Sequence, residues 1–130
     1  MENLNIKATK HTPEVTFDVD KHFLELKGEC YPENITNFTI PIFKLLKVYL
    51  QHLEKQTFTV NVEFIYFNSS SSKMLLDLFD ILDKEVVNYK KNIVVNWIYN
   101  VEDEDAEEYG EEFEEELESL TFNLVSKKYL

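Results

Sequence analysis

The sequence predicts a mixed α/β domain, in which one central β-sheet is packed against about three helices. Short runs rich in β-branched and aromatic residues alternate along the chain with segments whose apolar residues recur every three or four positions. The 130 residues, 44% of them hydrophobic, suffice for one hydrophobic core. We therefore expect a single domain over residues 1–130.

The first third of the chain predicts a hairpin followed by a helix. Leu4 and Ile6 indicate either an edge strand or a loose segment. Apolar and polar residues alternate over residues 15–19 and 23–27, which is typical of an antiparallel hairpin, and Gly28 is expected to end it. Residues 29–34 form a structured loop. A helix with Pro41 in its first turn should run to about residue 54, because apolar residues are spaced three and four apart at Phe43, Leu46, Leu50 and Leu53.

The middle of the chain predicts a strand, a polar turn and a second helix. Residues 57–67 have the β-branched and aromatic composition of a buried strand. Asn68 and the serines 69–72 should form the turn. The helix then runs to about residue 88, and its apolar face consists of Leu75, Leu78, Phe79, Leu82 and Val86.

The last third predicts a strand, a very acidic helix and a short final strand. The strand covers residues 93–99, and the final strand covers residues 122–125. Between them an apolar stripe indicates one helix, which Gly110 should weaken by about 1 kcal/mol relative to alanine. The stripe consists of Ala106, Tyr109, Phe113, Leu117 and Leu120.

Charge is concentrated in that acidic segment. The net charge is −12, and residues 102–118 contain twelve acids and no base, so the rest of the chain is neutral. Such a chain is a poor ligand for nucleic acid or an anionic membrane surface. No apolar run approaches the roughly 20 residues that cross a bilayer, and the N-terminus does not resemble a signal peptide. We expect a cytoplasmic protein without membrane insertion.

Residues that would support catalysis are scattered or absent. His11, His22 and His52 lack metal-ligand spacing, and no Gly-rich loop for phosphates is present. The single cysteine, Cys30, fits a small apolar residue at a strand end. We expect no enzymatic activity, metal or cofactor. Two alternatives are a small enzyme that uses carboxylates of the acidic helix and a passive acidic interaction module or inhibitor.

The segment 66–70 (Tyr-Phe-Asn-Ser-Ser) at a strand–helix junction resembles the anti-sigma-factor antagonists, which have the STAS fold. In that group a hydroxyl at this junction is phosphorylated by a partner kinase. Three segments together resemble the SiaC family of bacterial regulatory phosphoproteins more closely, over nearly the whole chain. They are Gly-Glu-Cys-Tyr-Pro-Glu-Asn at 28–34, Tyr-Phe-Asn-Ser-Ser-Ser at 66–71 and Val-Asn-Trp-Ile-Tyr at 95–99.

This resemblance implies a STAS-like regulatory domain in a partner-switching pathway. It implies that a serine/threonine kinase of the anti-sigma type phosphorylates Ser69, where the best-known member has threonine, and that a PP2C-type phosphatase removes the phosphate. The unphosphorylated form would bind an output protein, which is a diguanylate cyclase in the best-known system, with roles in cyclic-di-GMP signalling and biofilm regulation. The expected partner-binding residues are Tyr31, Pro32, Glu33, Asn34, Asn68, Ser69 and Ser70. From composition alone, the serines are more typical of a capped turn of small polar residues, and it is the resemblance that favours Ser69 as a phosphorylation site.

Overall fold

The computed structural model, which describes residues 1–129, contains one six-stranded sheet and three helices. This confirms the predicted mixed α/β fold. None of the helices in residues 1–129 is long and apolar enough to cross a membrane. The elements in chain order are β1 (Leu4–Ile6), β2 (Glu14–Asp18), β3 (Phe23–Cys30), α1 (Ile35–His52), β4 (Thr57–Phe67), α2 (Ser69–Tyr89), β5 (Asn92–Asn100), α3 (Glu104–Glu115) and β6 (Thr121–Lys127).

The six strands lie side by side in chain order. Pairing is antiparallel from β1 to β3 and parallel from β3 to β6, so each helix connects two neighbouring parallel strands. Right-handed connections that always step in the same direction place all three helices on one face of the sheet. The burial pattern of β4 agrees with this placement of the helices. Phe58, Val60 and Val62 on the helix-covered face are fully buried, whereas Thr59 and Asn61 on the other face are not.

The core lies between that face and the helices. The predicted apolar face of α2 is confirmed, since Leu75, Leu78 and Leu82 are fully buried and Phe64 on β4 is 5% exposed. Two groups of aromatic rings complete this core. One group is Phe17, Tyr49 and Phe58, and the other is Phe79, Trp97, Phe113 and Phe122.

The start of α1 differs from the prediction. The helix begins at Ile35, because the Asn34 side chain caps it by accepting a hydrogen bond from the Asn37 N–H at 3.2 Å. Pro41 is therefore in the helix interior and not in its first turn. Proline there removes a bond to the Asn37 carbonyl, and the helix tolerates the loss because both residues are exposed to solvent.

The sequence predicted that Gly28 ends the hairpin, but in the structure Gly28 lies within β3. Its φ of +127° is rarely adopted by other residues, and the strand continues to Cys30. The pairing register shifts after Gly28: Gly28 lies opposite Phe64 and Glu29 lies opposite Tyr66, so Ile65 is skipped. Ile65 and Tyr66 are 63% and 54% exposed, because β5 pairs with β4 only as far as Val62. The end of β4 is thus not buried, contrary to the prediction.

The acidic helix ends earlier than its apolar stripe suggested. Helix α3 stops at Glu115, and Leu117 and Leu120 lie in the turn that leads to β6. The carboxylate of Asp83, on α2, holds this turn by accepting the backbone N–H groups of residues 118, 119 and 120 at 3.0, 2.9 and 2.8 Å. Burial alone would raise the pKa of Asp83, but the three donors together hold it below its usual value.

Gly110 is a packing requirement as well as a weak point of α3. It is buried against the sheet, and a Cβ atom on it would lie 2.5 Å from Trp97 Cδ1 and still closer to Leu124 Cδ2. The absence of a side chain therefore allows α3 to approach β5 and β6 closely. Because the helix lies this close to the sheet, Trp97 Nε1 donates a hydrogen bond to the Ala106 carbonyl at 2.8 Å.

We predict that Asp83→Asn destabilises the protein by about 1–3 kcal/mol at pH 7, because the turn loses a charged acceptor for three N–H groups. The folded pKa of Asp83 is depressed, so its contribution is present above the unfolded pKa and is lost as pH falls through the folded pKa. Urea unfolding from pH 7 down to acid pH should show the difference between variant and wild type shrinking. Asp80→Asn, an exposed carboxylate on the same helix, is the control, and an equal effect there would contradict the role of Asp83.

We predict that Gly110→Ala is also destabilising. The gain in helix propensity, about 1 kcal/mol, is outweighed by overpacking against Trp97 and Leu124, which typically costs about 1–3 kcal/mol. Thermal unfolding measures the balance. Glu111→Ala, exposed on the same helix, should change the melting temperature little. A more stable Gly110→Ala protein would show that α3 does not need the close approach.

Candidate functional site

The four serines do not form a loop, because α2 begins at once after β4. Strand β4 ends at Phe67, Asn68 is the N-cap, and Ser69 is the first residue of the helix. The Asn68 side chain accepts a hydrogen bond from the Ser71 N–H at 3.0 Å. The serines thus occupy the first turn of a 21-residue helix at the carboxyl end of a central strand. Sites in open α/β sheets usually lie at this edge.

The helix sorts the serine hydroxyls into different environments. Ser71 is fully buried and its Oγ donates to the Cys30 carbonyl at 2.9 Å. Ser72 is half-buried. Ser70 is exposed, and its Oγ lies 3.5 Å from the Asn68 Oδ1. Ser69 is exposed, and within residues 1–129 its hydroxyl has no hydrogen-bond partner. Of the two exposed serines, only Ser69 has a hydroxyl without a hydrogen-bond partner in this part of the chain.

The predicted loop lies beside this helix start, because β3 and β4 are parallel neighbours and end at the same edge. Cys30 pairs with Phe67, and its carbonyl also accepts the Asn68 N–H at 3.3 Å. The rings of Tyr31 and Tyr66 meet edge to face with centroids 5.5 Å apart. The structure therefore brings the start of the segment 31–34 next to the strand end that precedes residues 68–70.

The expected partner-binding residues differ in how they are presented. Glu33 and Asn34 are exposed, whereas Tyr31 and Pro32 are half-buried. The Asn34 side chain caps α1, just as Asn68 caps α2. The two helix starts lie near one another, since Ile35 and Ser70 line the same groove. Between the helices runs a groove with a volume of about 410 Å³ that begins at Ser70. Its lining consists of Ile35, Thr36, Thr39, Ile40, Phe43, Ser70, Lys73, Met74 and Asp77.

Of the groove residues, the sequence analysis named only Phe43, as part of an apolar helix face, and Ser70, and it expected the end of β4 to be buried. Ile40 is 55% exposed although it lies within an amphipathic helix, and Ile65 and Tyr66 belong to an apolar strand. An apolar residue looks the same in sequence whether it is buried or exposed. The register shift opposite Ile65 follows directly after Gly28, and the glycine was the one signal of this irregularity in the sequence.

The single cysteine of the chain lies at this edge of the sheet. Burial raises the pKa of the Cys30 thiol, and a hydrogen bond with Ser71 offsets only part of the rise. Cys30 is thus a neutral, buried strand-end residue, as predicted. In the described part of the chain, no three His, Cys, Asp or Glu side chains are grouped so that they could hold a metal ion.

Similar proteins of known structure come from Pseudomonas aeruginosa. The crystal structure of apo-SiaC superposes with a TM-score of 0.85 at 23% identity, over 97% of this chain and 100% of that one. A chain in the crystal structure of the diguanylate cyclase SiaD in complex with its activator SiaC superposes with a TM-score of 0.88 at 25% identity. The match covers 95% of this chain and 99% of that one. A curated but uncharacterized protein of strain UCBPP-PA14 is 27% identical over 116 residues, 89% of this chain and 90% of that protein.

The family comparison agrees with these structures. The model of the SiaC family of regulatory phosphoproteins matches residues 6–127, which is nearly the whole chain. The resemblance noted in the three sequence segments is therefore confirmed, and this protein belongs to the SiaC family of regulatory phosphoproteins.

Proposed function

We propose that this protein is a non-catalytic switch in a partner-switching pathway and that phosphorylation of Ser69 sets its state. The observation that carries the proposal is the sorting of the serines: Ser71 is buried and hydrogen-bonded, whereas Ser69 is exposed with a free hydroxyl. In this proposal a serine/threonine kinase of the anti-sigma type phosphorylates Ser69, and a PP2C-type phosphatase reverses the reaction. The kinase must supply the ATP, Mg²⁺ and base for the transfer.

We propose that the unphosphorylated form binds and controls an output protein, and that this protein is a diguanylate cyclase. SiaC of Pseudomonas aeruginosa is described as the activator of the cyclase SiaD in the structure of their complex, which supports this choice. The binding surface would include residues 31–34 and 68–70. Their adjacency at one edge of the sheet supports a shared surface.

Phosphate would act in this proposal by local charge and bulk. It adds a charge of about −1.5 to −2 at pH 7. The N-terminus of α2 tolerates an anion, because the helix dipole favours negative charge there. A partner surface fitted to a neutral hydroxyl would have neither the space nor the hydrogen-bond donors for this anion, and burying it there would cost several kcal/mol. One modification could thus abolish the interface and leave the domain folded.

The alternative of a passive acidic module keeps one supporting observation, since the acidic residues of α3 are exposed. Its partner binding would not depend on Ser69. We further propose that the chain acts in the cytoplasm as one domain over residues 1–130, without a metal, cofactor or nucleic acid.

We predict that the cognate kinase with Mg²⁺-ATP phosphorylates Ser69 and that Ser69→Ala abolishes the labelling. Mass spectrometry of the intact protein and its peptides measures the site. Ser70→Ala is the matched control, because it removes the neighbouring exposed hydroxyl and should leave labelling unchanged. Undiminished labelling of the Ser69→Ala protein would disprove the assignment.

We predict that Ser69→Asp weakens binding to the output cyclase at least tenfold, which corresponds to about 1.4 kcal/mol. The free energy of unfolding should change by less than about 1 kcal/mol, because Ser69 is exposed at a helix N-terminus. Binding by calorimetry and unfolding in urea measure the two quantities.

Asn88→Asp, which adds one charge at the other, exposed end of α2, is the control and should bind like wild type. Enzymatically phosphorylated protein should show a larger loss of affinity than Ser69→Asp, because phosphate is the stronger anion. Melting of the domain by phosphate, or an unchanged affinity, would contradict the mechanism.

A further inference from the structure

Two lysine–aspartate pairs on α2 differ in geometry, and the difference concerns the residue four positions after Ser69. Lys73 is 78% exposed, and its Nζ is 3.7 Å from the Asp77 carboxylate. Farther along the helix, the Nζ of Lys84 is 2.9 Å from the Asp80 carboxylate. Both pairs have a spacing of four residues, but the acid precedes the base only in the second.

Order matters because side chains on a helix lean toward its N-terminus. A lysine reaches back readily to an acid four residues before it, and the acid-before-base order is the more favourable one, as the helix dipole also requires. Lys73 reaches forward against this preference, so the longer separation from Asp77 has a physical reason. Its ammonium group is therefore weakly held and available to a better placed anion.

We propose that Lys73 binds the phosphate on Ser69 and that it releases Asp77 in doing so; this inference rests on the proposed phosphorylation of Ser69. Residues 69 and 73 lie four apart on α2, with the anion first, which is the order of the short Asp80–Lys84 pair. Phosphate carries nearly twice the charge of the Asp77 carboxylate and three acceptor oxygens. Both properties favour the exchange of partners.

The exchange changes the charge of the groove between α1 and α2. Lys73 and Asp77 are the two charged residues that line it, and in the structure they neutralise one another. Ser69 does not line the groove itself but precedes Ser70, which does. With phosphate on Ser69, this end of the groove would have one cation, Lys73, against a phosphate and the free Asp77 carboxylate, so the net charge of these groups falls from zero to about −2. Phosphorylation thus makes the entrance of an apolar groove anionic, and Lys73 holds the phosphate at that entrance.

The test uses the full chain with phosphoserine installed at position 69 during translation, so no kinase is needed. Titration by ³¹P NMR gives the second pKa of the phosphate. We expect Lys73→Gln to raise this pKa by about 0.3 units, a twofold change in the dissociation constant, as for an exposed pair at this spacing. Lys73→Arg should keep the wild-type value, and about 1 M salt should remove most of the difference.

Lys84→Gln is the matched control, because it breaks the other lysine–aspartate pair of the same helix far from Ser69. Equal pKa values in the Lys73→Gln and Lys84→Gln proteins would overturn the proposal. That result would leave the phosphorylation of Ser69 untouched, because the kinase labelling experiment tests it separately. Conversely, the kinase could fail to label Ser69 while Lys73→Gln still raises the pKa of the installed phosphate. That result would disprove the proposed function and support the contact between Lys73 and the phosphate.

Discussion

The hydrogen bond from the buried Ser71 hydroxyl to the Cys30 carbonyl organises the candidate site. It joins the first turn of α2 to the end of β3, and a buried hydroxyl without this acceptor would cost about 1–3 kcal/mol. The bond sets the rotation of the helix about its axis. Ser69 lies two residues earlier, about 200° around the helix, so it faces solvent whenever Ser71 faces the core.

Parallel pairing of β3 with β4 makes this arrangement possible. It brings the two strand ends together, so the Cys30 carbonyl is within reach of α2 and the segment after β3 lies beside the serines. The same pairing contains the register shift after Gly28, which lies opposite the exposed Ile65 and Tyr66. One pair of strands therefore positions the hydroxyl and the apolar surface near it.

The acidic helix serves the fold as well as the surface. Ala106, Gly110 and Phe113 pack inward, and the Tyr99 hydroxyl donates to the Glu107 carboxylate at 2.8 Å. This hydrogen bond, together with burial and nearby acids, raises the pKa of Tyr99. The negative charge is therefore carried by a helix packed against the sheet, while the start of α2 has a neutral lysine–aspartate pair. A single phosphate at Ser69 would dominate the local charge there.

The sequence by itself determined the order and type of the main elements, because periods of two and of three to four residues reflect which faces are buried. It also located the serines at a strand–helix junction. The tertiary structure decided what depends on contacts between distant residues. Asn34 caps α1 and so places Pro41 in the helix interior; Asp83 holds the turn at residues 118–120 after the acidic helix; and Gly110 allows close packing against Trp97. A contact between distant residues likewise decided which serines are exposed. The Ser71 hydroxyl donates to the Cys30 carbonyl, 41 residues away in sequence, and local composition does not reveal such a contact.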